Sequence, residues 1–187
     1  MVMLLRAEDS QRICTAVRQS LREMWPSSYA DCNVQVEPVE IASVRSLVHC
    51  ARRYRLDAAQ KLLMQFFKQG LAPYISARSA TSPLVKILVP PVVERQDSYF
   101  NLVDGVHRMV AAQRLGLTNA LGLVVTSETI PAPAGDLCSL SEMSVSIAPR
   151  TPDQMFRNLD LARFRPVGYG RALEIAVRRF LSAESDK

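Results

Sequence analysis

Tyr99–Val125 reads YFNLVDGVHRMVAAQRLGLTNALGLVV. Ser98–Val103 has the residue types of a strand, Val106–Leu115 those of a helix closed by Gly116, and Ala120–Val125 those of a second strand. Between the first strand and the helix there is only Asp104-Gly105. A helix that starts so abruptly leaves its first N–H groups without internal partners, and its dipole places partial positive charge there. An anion at that point is stabilised by the backbone alone. Asp104 can cap the helix, Gly105 permits a close approach and an unusual turn, and His107 and Arg108 add side-chain donors. Asp-Gly is also an ordinary strand-to-helix turn. His107 and Arg108 directly after the glycine favour the anion site. The helix is apolar or small almost all round, with Ala111 and Ala112 at its middle, so it packs closely and holds its N-terminus rigidly.

Outward from this stretch, Leu84–Val89 is a short apolar strand closed by Pro90-Pro91, and Glu94–Asp97 reads as an exposed polar loop. Val34–Ile41 alternates with period two around Pro38, which points to an edge strand or a strand followed by a turn. Ser43 is expected to cap a helix to about Tyr54, and Asp57 a second helix ending at Gly70. Arg52-Arg53-Tyr54-Arg55 falls at that junction. Three guanidiniums beside one aromatic suit a nucleic-acid backbone and a stacked base; such a cluster also suits a helix C-terminus, where cations are favoured. Asp9–Met24 is an amphipathic helix with Ile13, Val17, Leu21 and Met24 on one stripe, stopped by Pro26. Met143–Ile147 alternates as a strand. Gly170–Ser182 is a closing helix with Leu173, Ala176, Val177 and Phe180 inward and a Glu174–Arg178 pair outside. The expectation is one α+β domain over 1–187: a core at about 34–126 with a small mixed sheet flanked by helices, a helical extension at 8–25 and a C-terminal extension at 127–187.

A chain of 187 residues, 48% of them hydrophobic and 22% charged, is long enough for a real core and is not of disordered composition. The net charge of +5 is carried by 19 Arg against 4 Lys. Arginine pairs bidentately with phosphate and carboxylate, so the bias fits anion binding; a GC-rich genome produces the same bias. Cys14, Cys32, Cys50 and Cys138 show no C-x-x-C spacing, and His49 and His107 are the sole histidines, so no zinc site is expected. The cysteines read as reduced and semi-buried. Met1–Arg6 is too short for a signal peptide and no run approaches a membrane span, so a bacterial cytoplasmic protein is expected.

The 99–125 stretch resembles the core motif of the ParB/sulfiredoxin superfamily: a hydrophobic strand, a G-x-x-R turn, a helix with A-A and L-G, then a strand. Val34–Val44 is weakly similar to the first strand of such domains. The resemblance implies a compact ParB/sulfiredoxin-like fold with nucleotide bound at Gly105, Val106, His107 and Arg108. Sulfiredoxins carry G-G-C-H-R at this turn; here Val106 replaces the nucleophilic cysteine, which excludes sulfinic-acid repair and leaves nucleotide binding. ParB proteins carry a G-E-R-R-like turn that binds CTP; Val106 and His107 replace its Glu and first Arg, and no helix-turn-helix is evident, which argues against a partition role. Other members resemble nucleases or nucleotide-hydrolysing enzymes. Size, basic charge and a solitary core are similar to plasmid-encoded fertility-inhibition proteins of the oncogenic-suppression type, which block DNA transfer through a type IV secretion system. The resemblance therefore implies ATP or another nucleotide, with Mg²⁺, and DNA and secretion or relaxosome components as partners. Asp104, Glu94 and Asp97 are the candidates for binding a divalent metal or orienting water in ATP hydrolysis or DNA cleavage. Arg52, Arg53 and Arg55 are the candidates for contacting nucleic acid. A non-catalytic nucleotide sensor or DNA-associated inhibitor would use the same turn without hydrolysis.

Overall fold

The computed structural model describes residues 5–79, 87–165, 173, 175–177 and 179. In chain order, β1 (Leu5–Ala7) leads to α1 (Ser10–Met24), whose first turn is held by Asp9 accepting from the Gln11 N–H at 2.9 Å. A single-turn helix α2 (Pro26–Tyr29) precedes β2 (Asn33–Glu40), a 3₁₀ turn at Ile41–Ser43, β3 (Val44–Ser46) and β4 (Cys50–Arg52). The long helix α3 (Arg53–Lys68) follows, then β5 (Ala77–Ser79), β6 (Ile87–Leu88), β7 (Val92–Arg95) and β8 (Phe100–Asp104). Helix α4 (Val106–Arg114) leads to β9 (Asn119–Thr126), β10 (Cys138–Ser139), β11 (Ser144–Ser146) and the short α5 (Pro152–Met155). Gly70 and Gly116, at φ +64° and +77°, take the left-handed position after α3 and α4 that ends a helix at low cost.

The fold is α+β. Six strands form a mixed sheet in the order β10-β3-β8-β7-β9-β2, with β3–β8 and β7–β9 parallel and the other pairs antiparallel. Pro38 is accommodated because β2 is the edge strand and pairs through β9 alone. Side chains alternate across the sheet and build a core on each face. On one, Val93, Leu102 and Val124 meet Leu56, Leu63 and Phe66 of α3 and Met109–Ala112 of α4. On the other, Val92, Leu123 and Val125 meet Ile13, Val17 and Leu21 of α1, with the helical residues Leu173 and Val177 beside them. The expected inward residue Ala176 is half-buried, whereas Phe180 and the Glu174–Arg178 pair lie outside the described residues.

Two sequence expectations are corrected. No helix runs from Ser43 to Tyr54; the chain instead makes β3, parallel to β8 with Val44 opposite Phe100, and then β4. Non-local pairing overrides local propensity here, and the Met143–Ile147 region supplies the partner of β4 as the parallel strand β11. The second helix starts at Arg53, so Asp57 lies within it and caps nothing. Of the strand expected at Leu84–Val89, Ile87–Leu88 is a strand and residues 84–86 fall outside the described set.

Candidate anion-binding site

Strand β8 delivers the chain to Asp104, and α4 begins after a single linking residue. That residue, Gly105, and not Asp104, is the N-cap. Its φ is +94°, and a Cβ there would stand 2.8 Å from Pro91 Cβ and 2.9 Å from Pro91 Cα. Both the left-handed backbone and the close approach therefore require glycine. Having no side chain, Gly105 also leaves the first N–H groups of α4 to another acceptor.

Arg108 is folded back toward the turn. Its Nη2 donates to the Asp104 carboxylate at 3.0 Å and its Nη1 to the Val89 carbonyl, while the Tyr74 hydroxyl donates to the Arg108 carbonyl at 2.6 Å. Arg108 thus braces the turn as well as lining it. His107 reaches across to α3: its Nε2 accepts the Arg52 backbone N–H at 3.1 Å. Burial, reinforced by Arg55, Arg52 and Arg108, lowers its pKa to about 4. The ring is neutral, with Nε2 committed as acceptor and Nδ1 carrying the proton.

Arg52 is the N-cap of α3. The Arg52-Arg53-Tyr54-Arg55 cluster therefore lies at a helix N-terminus, not at the C-terminus, where charge compensation would explain it. Cations there oppose the helix dipole. No acidic residue occupies the first turn of α3 and no side chain caps it. The N-termini of α3 and α4, joined by His107, open onto one cavity of about 440 Å³, within the usual range for a small-molecule site. Five arginines line it, Arg52, Arg55, Arg108, Arg163 and Arg165, against one carboxylate, Asp104, among the described residues. Arg53 is exposed outside the cavity. Val106 lines it beside Gly105.

The remaining carboxylates separate. Glu94 belongs to β7 and is fully buried, so the expected exposed loop is corrected. It accepts from the Tyr29 hydroxyl at 2.5 Å, Asn101 Nδ2 at 2.6 Å and Arg165 Nη2 at 2.9 Å. Burial, with Glu94 beside it, pushes the Tyr29 phenol far above its ordinary range, so it remains the donor. Asp97 is exposed in the turn between β7 and β8 and does not line the cavity. Mg²⁺ prefers several oxygen ligands. Asp104, the one cavity carboxylate, is already paired with Arg108, and no group of three or more His, Cys, Asp or Glu among the described residues could hold a metal. The residues do not fit a protein-built Mg²⁺ site; the ion would have to arrive on a ligand's phosphates.

The wall facing the helices comes from residues 155–165, a segment to which the sequence assigned no role. The segment is tied down by Asp160 N–H to the Ala134 carbonyl at 2.6 Å, Asp136 N–H to the Arg157 carbonyl at 3.0 Å, and the edge-to-face contact of Phe156 with Phe164 at 5.1 Å. Arg163-Phe164-Arg165, two guanidiniums around an aromatic, is the signal in that sequence that marks it. No helix among the described residues is long and apolar enough to cross a membrane.

No protein-family model and no curated protein matches this chain. Among solved structures, it bears a partial likeness to protein Atu1540 from Agrobacterium tumefaciens, at 10% identity and a TM-score of 0.39. The match covers 60% of this chain, which spans 63% of the length of that one.

Proposed function

We propose that this chain binds a nucleotide through its phosphates, in the cavity where α3 and α4 present their N-termini. The observation that carries the reading is the placement of Arg52 and Arg55 at the start of α3, where helix electrostatics disfavour them, facing the uncapped start of α4. A phosphate between the two helix ends would reverse the sign of that interaction and take up the free N–H groups of both. Gly105, Val106, His107 and Arg108 serve the site from α4. Arg108 acts chiefly by holding the turn, and His107 as a neutral ring whose Nδ1–H can donate. Mg²⁺ would enter on the phosphates of ATP or a related nucleotide.

Binding without an obligatory hydrolytic step accounts for more of the site than catalysis does. Of the three candidate catalytic carboxylates, Glu94 is occupied by Tyr29, Asn101 and Arg165, and Asp97 lies elsewhere, which leaves Asp104 to orient water if ATP hydrolysis or DNA cleavage occurs. On the superfamily resemblance, the nucleotide-bound protein would engage DNA or a type IV secretion component and inhibit conjugative transfer, with exposed Arg53 available to a backbone. The deciding measurement is equilibrium binding of ATP and CTP, with Mg²⁺, to wild type and to Arg55→Ala and His107→Ala, beside phosphate release and plasmid nicking. Micromolar binding weakened about tenfold by Arg55→Ala, the equivalent of one charge-assisted contact of about 1.4 kcal/mol, supports the site. Binding indifferent to both substitutions places the nucleotide elsewhere.

A further inference from the structure

Glu94 fixes two of the side chains that line the cavity. Asn101 Nδ2 donates to its Oε2 at 2.6 Å, and Arg165 Nη2 donates to Oε1 and Oε2 at 2.9 and 3.2 Å. Tyr29, donating to Oε1 and lying under the Arg165 guanidinium at 5.6 Å, restrains the carboxylate from behind. A carboxylate accepts only, so the Asn101 amide is oriented with nitrogen toward Glu94 and oxygen away. Three atoms of this arrangement are left over. Asn101 Oδ1, Arg165 Nε and Arg165 Nη1 have no hydrogen-bond partner among the described residues. Yet Asn101 is 5% exposed and the Arg165 side chain 9% exposed, and both residues line the cavity. Buried polar atoms are ordinarily paired, so these two donors and one acceptor are what a ligand group in the cavity has to satisfy.

That group must present an acceptor to the guanidinium and a donor to an amide oxygen. A second phosphate or a carboxylate brings acceptors alone and would set an oxygen against Asn101 Oδ1. A nucleobase edge carries carbonyl or ring-nitrogen acceptors next to N–H donors. Phe156, Phe164, Val48 and Pro133 supply apolar wall for a planar ring. We propose that Asn101 and Arg165 form the base-reading end of the cavity, so that the ligand is a nucleoside phosphate with its base edge on these two residues and its phosphate at the starts of α3 and α4. The inference rests on the anion-site reading above and adds what the ligand carries besides phosphate. Asn101 and Arg165 determine specificity; Glu94 and Tyr29 position them.

Calorimetric titration of the full chain with pyrophosphate, ribose 5-phosphate and the four ribonucleoside monophosphates separates the two readings. The base-reading end predicts that at least one nucleotide binds ten times or more tighter than ribose 5-phosphate, with the bases ranked. Nucleotides and ribose 5-phosphate binding alike overturns the base site and leaves the phosphate site standing. No binding by any of them, pyrophosphate included, overturns both. Arg165→Lys keeps a cation for Glu94 and removes the two spare donors; it should bring nucleotides down to the ribose 5-phosphate level while pyrophosphate stays within twofold. An equal loss for every ligand would make Arg165 a general charge and overturn the proposal. Asn101→Ser repeats the comparison should Arg165→Lys fail to fold, and the wild-type series decides without either variant.

Discussion

His107 accepts the Arg52 N–H at Nε2, and burial with three guanidiniums nearby holds its pKa at about 4 against 6.5 for a free imidazole. The unfolded chain therefore takes up a proton here before the folded chain does. Stability from this residue is fully present above pH 6.5 and is lost as pH falls from 6.5 toward 4, by at most roughly 3 kcal/mol, and less where solvent screens the ring. His107→Gln can keep an acceptor for the Arg52 N–H and does not titrate, so it should remove that part of the acid loss. Urea unfolding of both proteins at pH 7.5 and 5.0 checks this; parallel losses would place the acid sensitivity elsewhere. Glu94 answers differently to substitution. Glu94→Gln leaves the Arg165 guanidinium buried without its counter-charge, which should lower stability by about 3–5 kcal/mol. The loss should appear in unliganded protein, as unfolding at lower denaturant. In the sequence, Glu94 stood beside Arg95, Gln96 and Asp97 and looked solvated. Burial of one charge among four polar residues depends on β7 lying between β8 and β9 and on an arginine 71 residues later, and neither is visible in a local window.

At the element scale, α4 with its preceding turn was legible because every determinant is local: the Gly105 turn, the Ala-rich body and the Gly116 stop. The start of α3 was not. Residues 43–52 carry no strand pattern strong enough to compete with a helix reading, and they become β3 and β4 through parallel partners at β8 and β11. That displacement moves the arginine cluster from the end of one helix to the beginning of another and reverses its meaning. The same reversal makes a test. Removing a cation from the first turn of a helix relieves an unfavourable dipole interaction of about 0.3–1 kcal/mol. Arg55→Ala should leave the unliganded protein as stable as wild type or slightly more so, while weakening nucleotide binding about tenfold. A drop in both would mean that Arg55 is structural. Gly105→Ala probes the other helix: with φ at +94° and Pro91 under 3 Å from the added carbon, it should cost about 2 kcal/mol or more and unseat the start of α4, measured by denaturant unfolding.

Across the whole molecule, the cavity has two walls of different origin. One is the rigid pair of helix starts, backed by the core of α3, α4 and the sheet. The other is the 155–165 segment, held by backbone bonds to Ala134 and Asp136 and by Arg165 on Glu94. In the first wall the start of α4 carried a local sequence signal, whereas the second wall has no periodic pattern and is positioned by long-range pairing. A ligand spanning both should slow amide exchange in three stretches far apart in sequence: 52–56, 105–109 and 156–165. Helix α1, packed on the opposite face of the sheet from α3 and α4, should show only the global stabilisation, about 2.7 kcal/mol at a hundredfold excess over Kd. An anion attracted merely by the net charge would protect no particular segment, and its effect would fade between about 50 and 200 mM salt as surface charges are screened. Hydrogen exchange with and without ATP at both salt concentrations distinguishes these cases. Protection at the helix starts without protection at 156–165 would mean that phosphate binds and the second wall takes no part; protection of both at high salt is the outcome expected of a cavity that closes on a nucleotide from two sides.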